Sequence, residues 1–237
     1  MSPNPELLWF SKSVAILEGL RVKAWKALPE LLELRDSRKF KDDGSPVTAS
    51  DLMLDELIRT YLVERYPRIH ICSEEKICAV HEYNGMVALV DPLDGTENYT
   101  SGLPLWGISV SLWDQGSHTE SALFFPELDL GLITGEKIQL HSSRIKGFPS
   151  SVSMEDLVRR NLIAKESRIL GCASYNLYNV CIGAFKSFQN YTGAHSWDIL
   201  AGLNLALEHG CEVIVDGEIY RGQFLPADRK YTFSVSR

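Results

Sequence analysis

The chain has 237 residues, of which 45% are hydrophobic and 23% charged, and its formal net charge is −7. This length allows one large domain or two small ones that share a core. An acidic chain does not supply the broad cationic surface that dominates affinity for nucleic acids, so we expect no nucleic-acid partner.

No apolar run approaches the ~20 residues that a bilayer span requires, and the first 20 residues do not resemble a signal peptide. The five cysteines are odd in number and lack metal-binding spacing, which favours buried thiols in a reducing compartment. We therefore expect a cytoplasmic protein without a membrane partner.

Two helices are predicted at the start of the chain. Apolar residues recur at three- and four-residue steps over 5–35 and again over 48–65, the pattern of amphipathic helices. Pro29 is expected to kink or restart the first helix. The polar, turn-rich stretch 39–46 between them is predicted to be a loop.

Strands are predicted after the second helix. Residues 69–72 form a short apolar run, and 86–90 form a continuous one that is typical of a strand buried on both faces. Two-residue alternation then predicts three consecutive antiparallel strands, over 106–113, 120–125 and 131–134.

Helices and strands alternate in the second half of the chain. The polar stretch 136–153 is a candidate boundary, so we expect an N-terminal α+β subdomain over 1–140 and a C-terminal α/β subdomain over 141–237, joined in one compact unit. Helix pairs flanking two sheets of mixed or antiparallel strands, an α/β (α+β) fold, is the architecture implied. The predicted elements are helices 174–184 and 196–208 and strands 211–215 and 231–235.

The strongest local signal is the segment 91–96, Asp-Pro-Leu-Asp-Gly-Thr, at the exit of an apolar strand. Its two carboxylates and the Leu93 carbonyl would lie on one concave edge, and such oxygens are the ligands that Mg²⁺ prefers. The free N–H groups of Gly95 and Thr96 would hold a phosphate oxygen. The same residues are also ordinary turn formers, so this segment alone leaves both interpretations open.

Acidic residues from two other parts of the chain favour the metal interpretation. Glu74 and Glu75 follow a separate strand, and near Asp91 they would repel one another unless a cation lay between them. Asp198 opens an apolar helix, where it is either a charge that stabilises the helix N-terminus or a metal ligand. On the surface, the two glutamates would simply be solvated.

These segments together resemble the inositol monophosphatase superfamily, which includes fructose-1,6-bisphosphatases and 3'(2'),5'-bisphosphate nucleotidases. The segment 91–96, the upstream Glu74 and Glu75, and the sequence Trp-Asp-Ile-Leu-Ala-Gly at 197–202 look like its three signatures. The loop 41–51 is similar to a segment of the nucleotidase branch. The resemblance implies a layered αβαβα sugar-phosphatase fold, an Mg²⁺-dependent phosphomonoesterase, lithium sensitivity and a homodimer.

The resemblance also assigns roles to residues. It implies two or three Mg²⁺ ions, a water oriented by Glu74 and Thr96, and phosphate binding by the Gly95 and Thr96 amides, with Asp198 also facing the substrate. Asp51 is implied to order metal-bound water, and Asp43 to assist the nucleophile. The implied metal ligands are Glu74, Asp91, the Leu93 carbonyl, Asp94 and Asp198.

The resemblance to the family is weakest in the residues that precede Trp197. The family's inositol-specific glutamate has no counterpart within 189–195, where Tyr191, Asn190 or His195 could face the substrate or simply pack at a helix entry. The expected substrate is a small phosphorylated metabolite of the inositol-phosphate or sugar-phosphate type. A 3'(2'),5'-bisphosphate nucleotidase and an inactive scaffold or binding relative remain alternatives.

Overall fold

The computed structural model describes residues 5–40, 44, 46–77, 85–159 and 166–237, with side chains of the first helix from Ile16 onward. Helix α1 (Pro5–Glu33) runs on through Pro29, so the predicted restart does not occur. The predicted loop 39–46 contains two short strands, β1 (Lys39–Phe40) and β2 (Pro46–Val47), which pair antiparallel.

Helix α2 (Ala49–Val63) begins where the sequence predicts, because Thr48 caps it. The Thr48 hydroxyl accepts a hydrogen bond from Ser50 N at 3.1 Å, and Asp51 Oδ2 accepts one from Thr48 N at 2.7 Å. This reciprocal capping box satisfies backbone donors that a helix start leaves without partners.

The later elements alternate between short helices and strands. In chain order they are β3 (His70–Ser73), β4 (Met86–Asp94), α3 (Thr96–Thr100), β5 (Gly107–Asp114), β6 (Ser117–Phe125), a 3-10 turn (Pro126–Leu128), β7 (Leu130–Ile133), β8 (Lys146–Phe148), α4 (Met154–Arg159), β9 (Ser167–Ile169), α5 (Ala173–Cys181), β10 (Ser187–His195), α6 (Ser196–Glu208), β11 (Glu212–Val215), β12 (Glu218–Ile219) and β13 (Lys230–Ser236).

The first sheet has five strands in the order β3-β4-β5-β6-β7. Strands β3 and β4 are parallel and the other neighbours are antiparallel. Helices α1 and α2 pack on one face of this sheet, and α5 and α6 pack on the other. Strand β4 is therefore buried on both faces, as its continuous apolar run predicts.

The second sheet has six strands in the order β12-β11-β13-β10-β8-β9. Helices α5 and α6 lie between the two sheets, where α6 contacts β4, β5 and β6 on one side and β10, β11 and β13 on the other. The helix–sheet–helix–sheet layering confirms the expected α/β fold class. None of the described helices is long and apolar enough to cross a membrane.

The chain changes from one sheet to the other between β7 and β8. The largest core cluster nevertheless combines residues of both sheets, such as Leu89 and Leu123 with Leu200 and Phe233. The division into subdomains at residue 140 therefore stays a proposal.

Strand β10 corrects the interpretation of residues 189–195 as the entry to a helix. It pairs with β13 on one side and with β8 on the other, so it lies inside the second sheet. A bulge interrupts its pairing with β13 between Asn190 and Ala194. Asn190 Oδ1 stabilises that bulge by accepting hydrogen bonds from Thr192 N at 3.0 Å and Gly193 N at 2.9 Å.

Candidate active site

The parallel pairing of β3 with β4 brings Glu74 beside Asp91. Ser73 is in register with Val90, and Glu74 N donates to Val90 O at 3.1 Å. Glu74 follows Ser73 and Asp91 follows Val90, so these two acids are neighbours. Asp91 is only 2% exposed. Its Oδ1 accepts a hydrogen bond from Leu93 N at 3.0 Å, which holds the carboxylate at the turn that follows.

Asp198 reaches the same place from the N-terminal turn of α6. Its Oδ2 accepts a hydrogen bond from His195 N at 2.8 Å. The start of α6 is docked on the first sheet, because Ser109 Oγ donates to Trp197 O at 3.0 Å and Ser109 is in register with Asp91. The resulting group is Glu74, Asp91 and Asp198, whose nearest oxygens all lie within 4.8 Å of one another.

The charges of these acids oppose one another. Burial, followed by the charges of Glu74, Asp94 and Asp198, raises the pKa of Asp91 well above its ordinary value. Burial and the charges of Asp94 and Glu74 likewise raise the pKa of Asp198. A cluster of like charges with these pKa shifts is unfavourable without a cation, and oxygen ligands from carboxylates suit Mg²⁺. The donor set therefore fits the metal that the sequence implies.

Asp94 lines the same cavity but has an additional structural contact. Its Oδ2 accepts hydrogen bonds from Ser174 N at 2.5 Å and from the Cys172 thiol at 3.2 Å. Ser174 lies in the first turn of α5, where the helix dipole favours a negative charge. Burial raises the pKa of Asp94 against these hydrogen bonds. Asp94 thus joins the end of β4 to the start of α5.

Thr96 connects the cavity to a buried carboxylate behind it. Its Oγ1 lies 3.2 Å from Asp51 Oδ1 and 3.1 Å from the Leu93 carbonyl oxygen. Asp51 is 2% exposed and is not among the described residues that line the cavity, so it acts on the site through Thr96 and through its charge, which opposes that of Glu74. Burial raises the pKa of Asp51, and hydrogen bonds from Thr48 and Thr96 oppose that rise.

Gly95 makes the sharp turn between β4 and α3. Its φ of +88° is in the left-handed region that favours glycine. A Cβ at this position would lie 3.0 Å from Leu105 O and 3.1 Å from Cys172 Cβ, so the surroundings leave no room for a side chain. Gly95 and Thr96 both line the cavity, as phosphate-binding residues would.

The cavity has a volume of about 280 Å³ and is lined by two chemically different sets of residues. The first set, which we call the acidic wall, contains Glu74, Asp91, Asp94 and Asp198. The second set comes from the segment after β8 and from β10 and β13. It includes Ser150, Ser151, Asn190, Gly193, Ala194 and Lys230.

One predicted site residue, Tyr191, does not line the cavity. Its hydroxyl donates to Gln189 Oε1 at 2.7 Å. Side chains alternate along a strand, so Tyr191 points away from the side on which Asn190 faces the cavity. Asp43 lies outside the described residues.

The sequence interpretation missed Cys172, Ser174 and Lys230. Cys172 and Lys230 line the cavity, and Ser174 holds Asp94. The available signal for Lys230 was its position immediately before a predicted strand, 231–235. Nothing local to these three residues indicates that they share a site with the segment 91–96, because the register of distant strands brings them together.

Comparison with known sequences and structures identifies the family. The model of the inositol monophosphatase family matches residues 14–234. An inositol-1-monophosphatase of Mesorhizobium japonicum is 30% identical over 193 residues, which is 72% of either chain. A putative Nus factor SuhB of Neisseria meningitidis is 30% identical over 227 residues, covering 82% of this chain and 83% of that protein.

Solved structures share the fold. A crystal structure of an IMPase/NADP phosphatase with Mg²⁺ and phosphate matches with a TM-score of 0.80 and 20% identity, over 96% of this chain and 91% of the other. A staphylococcal inositol monophosphatase-1 in a LiCl-soaked inhibitory complex also gives 0.80 and 20% identity, over 96% and 90% of the two chains. The chain thus belongs to the inositol monophosphatase family of phosphatases.

Proposed function

We propose that this phosphatase hydrolyses a small phosphorylated metabolite of the inositol-phosphate or sugar-phosphate type and that it depends on Mg²⁺. The observation that carries the proposal is the group Glu74, Asp91 and Asp198, three carboxylates within 4.8 Å in the wall of one cavity. Asp94 and the Leu93 carbonyl lie beside them in that wall and complete the proposed set of ligands.

Mg²⁺ held by these residues would neutralise charge on the phosphate and lower the pKa of a bound water. Two or three ions are proposed, from the family resemblance. The residues themselves do the positioning. When the Thr96 hydroxyl donates to Asp51, its lone pairs are left to accept a hydrogen bond from a water in the cavity.

The chain then positions both reacting groups. Thr96 and Glu74 would orient the attacking water, and the N–H groups of Gly95 and Thr96 would donate to a phosphate oxygen. The turn at Gly95 and the hydrogen bond from Thr96 to Asp51 hold these groups in place before the substrate arrives. Such preorganisation of dipoles and hydrogen bonds supplies much of the rate enhancement in phosphoryl transfer.

Phosphate release from a panel of phosphomonoesters, with and without Mg²⁺, tests this proposal. Asp91→Asn should lower kcat/KM at least about 100-fold, because it removes a buried charge from the centre of the cluster. Its far-ultraviolet circular dichroism should be unchanged, because the side chains have nearly the same size. Glu212→Gln, an exposed acid on β11, is the matched control and should retain activity. Full activity in Asp91→Asn would contradict the ligand assignment.

A 3'(2'),5'-bisphosphate nucleotidase remains the second candidate. It is favoured by the cation Lys230 in the lining of the same cavity, which suits a substrate with two phosphates. Release of phosphate from adenosine 3',5'-bisphosphate but not from inositol 1-phosphate would select this activity. An inactive scaffold is favoured only if Mg²⁺ supports no turnover on any phosphomonoester.

A homodimer, lithium inhibition and a cytoplasmic location are also proposed, from the family resemblance. The lithium proposal is supported by the LiCl-soaked inhibitory complex of the staphylococcal relative. Sedimentation of the purified protein and a LiCl titration of phosphate release test the first two.

A further inference from the structure

The cavity that contains the four acids also contains a positive charge. Glu74, Asp91, Asp94 and Asp198 all line it. The rest of its described lining offers hydroxyl groups, an amide and small side chains, together with Lys230. A substrate whose reacting phosphate is bound near the acids therefore has a cation available to it within the same cavity.

The base of the Lys230 side chain is held by the second sheet. Lys230 is the first residue of β13 and is in register with His195 of β10. The β10 bulge packs against it, because a Cβ on Gly193, whose φ is +86°, would lie 3.1 Å from Lys230 Cβ. The stem of the lysine is thus fixed at the cavity edge while its exposed head can turn toward a ligand.

Lys230 differs from the neighbouring cation in what it contacts. Arg229 is paired with Asp216, with 2.8 Å between Nη1 and Oδ2, and its guanidinium lies over the Tyr231 ring. No carboxylate of the described residues lies within 4.0 Å of the Lys230 ammonium. Its charge nevertheless reaches the acidic wall, because it lowers the pKa of Asp198 against the larger effect of burial.

We propose that Lys230 is a specificity-determining residue that binds a second anionic group on the leaving-group side of the substrate. The substrate class is then a phosphomonoester with an additional phosphate or carboxylate, rather than a neutral polyol monophosphate. This inference rests on the proposed phosphatase function and specifies its substrate. It agrees with the absence of an acidic residue at 189–195, where a carboxylate would repel such a group.

Matched pairs of substrates test the proposal. Fructose 1,6-bisphosphate and fructose 1-phosphate differ by one phosphate, and 3-phosphoglycerate and glycerol 3-phosphate differ by a carboxylate in place of an alcohol. For each pair, the ratio of kcat/KM values measures the preference for the second anion. A preference in the first pair only identifies the second group as phosphate, and a preference in the second pair only identifies it as carboxylate.

In the pair that shows a preference, Lys230→Met should lower the ratio of kcat/KM values about ten- to a hundredfold. The change should come mainly from KM, as expected for the loss of a charged hydrogen bond. Lys230→Arg should restore most of the ratio because it restores the charge. Arg229→Met is the matched control, since it removes an adjacent cation that does not line the cavity. Its ratio should stay within about twofold of the original protein's.

The outcomes separate this inference from the function on which it rests. A ratio that Lys230→Met leaves unchanged, in a protein that hydrolyses these esters, overturns the role of Lys230 and leaves the proposed function standing. If no phosphomonoester is hydrolysed, the proposed function fails. Calorimetric binding of fructose 6-phosphate, which keeps only the second phosphate, then still tests Lys230, and equal affinity in Lys230→Met would overturn the inference.

Discussion

Glu120 is a buried acid that the proposed chemistry does not use. It lies on β6 opposite Leu112, on the face that packs against α1, and it is 0% exposed. Neither of its carboxylate oxygens has a hydrogen bond of good geometry to the described residues. Burial raises the pKa of Glu120 from 4.5 to about 8, and the Leu17 backbone offsets only part of this rise.

The raised pKa predicts a pH-dependent loss of stability. Between pH 4.5 and about 8 the unfolded chain releases a proton that folded Glu120 keeps, so the free energy of unfolding falls as pH rises. Below this window the carboxyl group is protonated in both states, so it makes no pH-dependent contribution to the free energy of unfolding. Glu120→Gln should therefore be more stable than the original protein by roughly 2–4 kcal/mol at pH 8, with little difference at pH 4.5.

Urea denaturation at the two pH values measures this difference. Burial lowers the pKa of His118 from 6.5 to about 4. Its effect on the free energy of unfolding is therefore opposite to that of Glu120, since it destabilises the fold as pH decreases from 6.5 to 4. It is present in both proteins, so its contribution cancels in the comparison. A difference that does not change with pH would show that Glu120 ionises normally.

Single site residues could be predicted from the sequence where a recognisable motif surrounds them. Glu74, Asp91 and Asp198 were predicted from three separate signatures, and the structure brings their oxygens together. No such signature contains Tyr191 or Lys230. Any other aromatic or basic residue in a polar stretch would have been an equally good candidate for the site. Their places depend on the register of β10 with β13 and on the bulge in β10, which are long-range features.

Among the elements, helix α6 was predicted with the bounds that the structure has. Its polar start is followed by a long apolar repeat, and ten of its residues are buried between the sheets. Strand β10 was missed because its buried positions include the polar residues Ser187 and Asn190. The cavity wall needs such residues, so the alternation that identifies a strand is lost. Strands β8 and β9 have three residues each, too few to show a period.

The packing of α5 on α6 depends on one glycine. A Cβ at Gly202 would lie 2.5 Å from Leu177 Cδ1 and 2.7 Å from Leu177 Cβ. Gly202→Ala should gain up to ~1 kcal/mol of helix propensity but lose about 1–3 kcal/mol to overpacking, so we expect net destabilisation. It should also lower kcat, because these helices carry Ser174 and Asp198, which position the acidic wall.

A double-mutant cycle separates this contact from other effects of the substitution. Leu177→Ala opens a cavity and destabilises on its own. If the two side chains clash directly, the double variant should be more stable than the sum of the single changes predicts, measured by thermal and urea unfolding. Strict additivity would mean that Gly202→Ala acts in some other way.

At the scale of the whole molecule, the acidic wall joins the two halves of the chain. Asp91 and Asp94 belong to the first sheet, Glu74 directly follows one of its strands, and Asp198 belongs to the helix layer between the sheets. A cation bound by all of them would stabilise the folded state, in which these groups converge, and not the unfolded chain. The expected gain is about 2.7 kcal/mol at a Mg²⁺ concentration 100 times the Kd.

Thermal unfolding with Mg²⁺ or with EDTA measures this gain. The melting temperature should rise with Mg²⁺ concentration in the original protein and in Glu212→Gln. It should rise much less in Asp91→Asn, which has lost a central ligand. An equal rise in all three proteins would mean that Mg²⁺ binds elsewhere, and no rise in any of them would argue against a metal site.

Asp94 differs from Glu74 and Asp91 because it accepts two hydrogen bonds from the start of α5. Glu74 and Asp91 sit in a cluster that repels itself, so a descendant of this chain that no longer needs catalysis can neutralise either of them without harming its fold. A descendant that replaces Asp94 loses the anion that anchors the start of α5 through Ser174 N. In relatives that have lost activity, we therefore expect substitutions at positions 74 and 91 before substitutions at position 94. An aspartate retained at position 94 is accordingly weak evidence that a relative is still an enzyme.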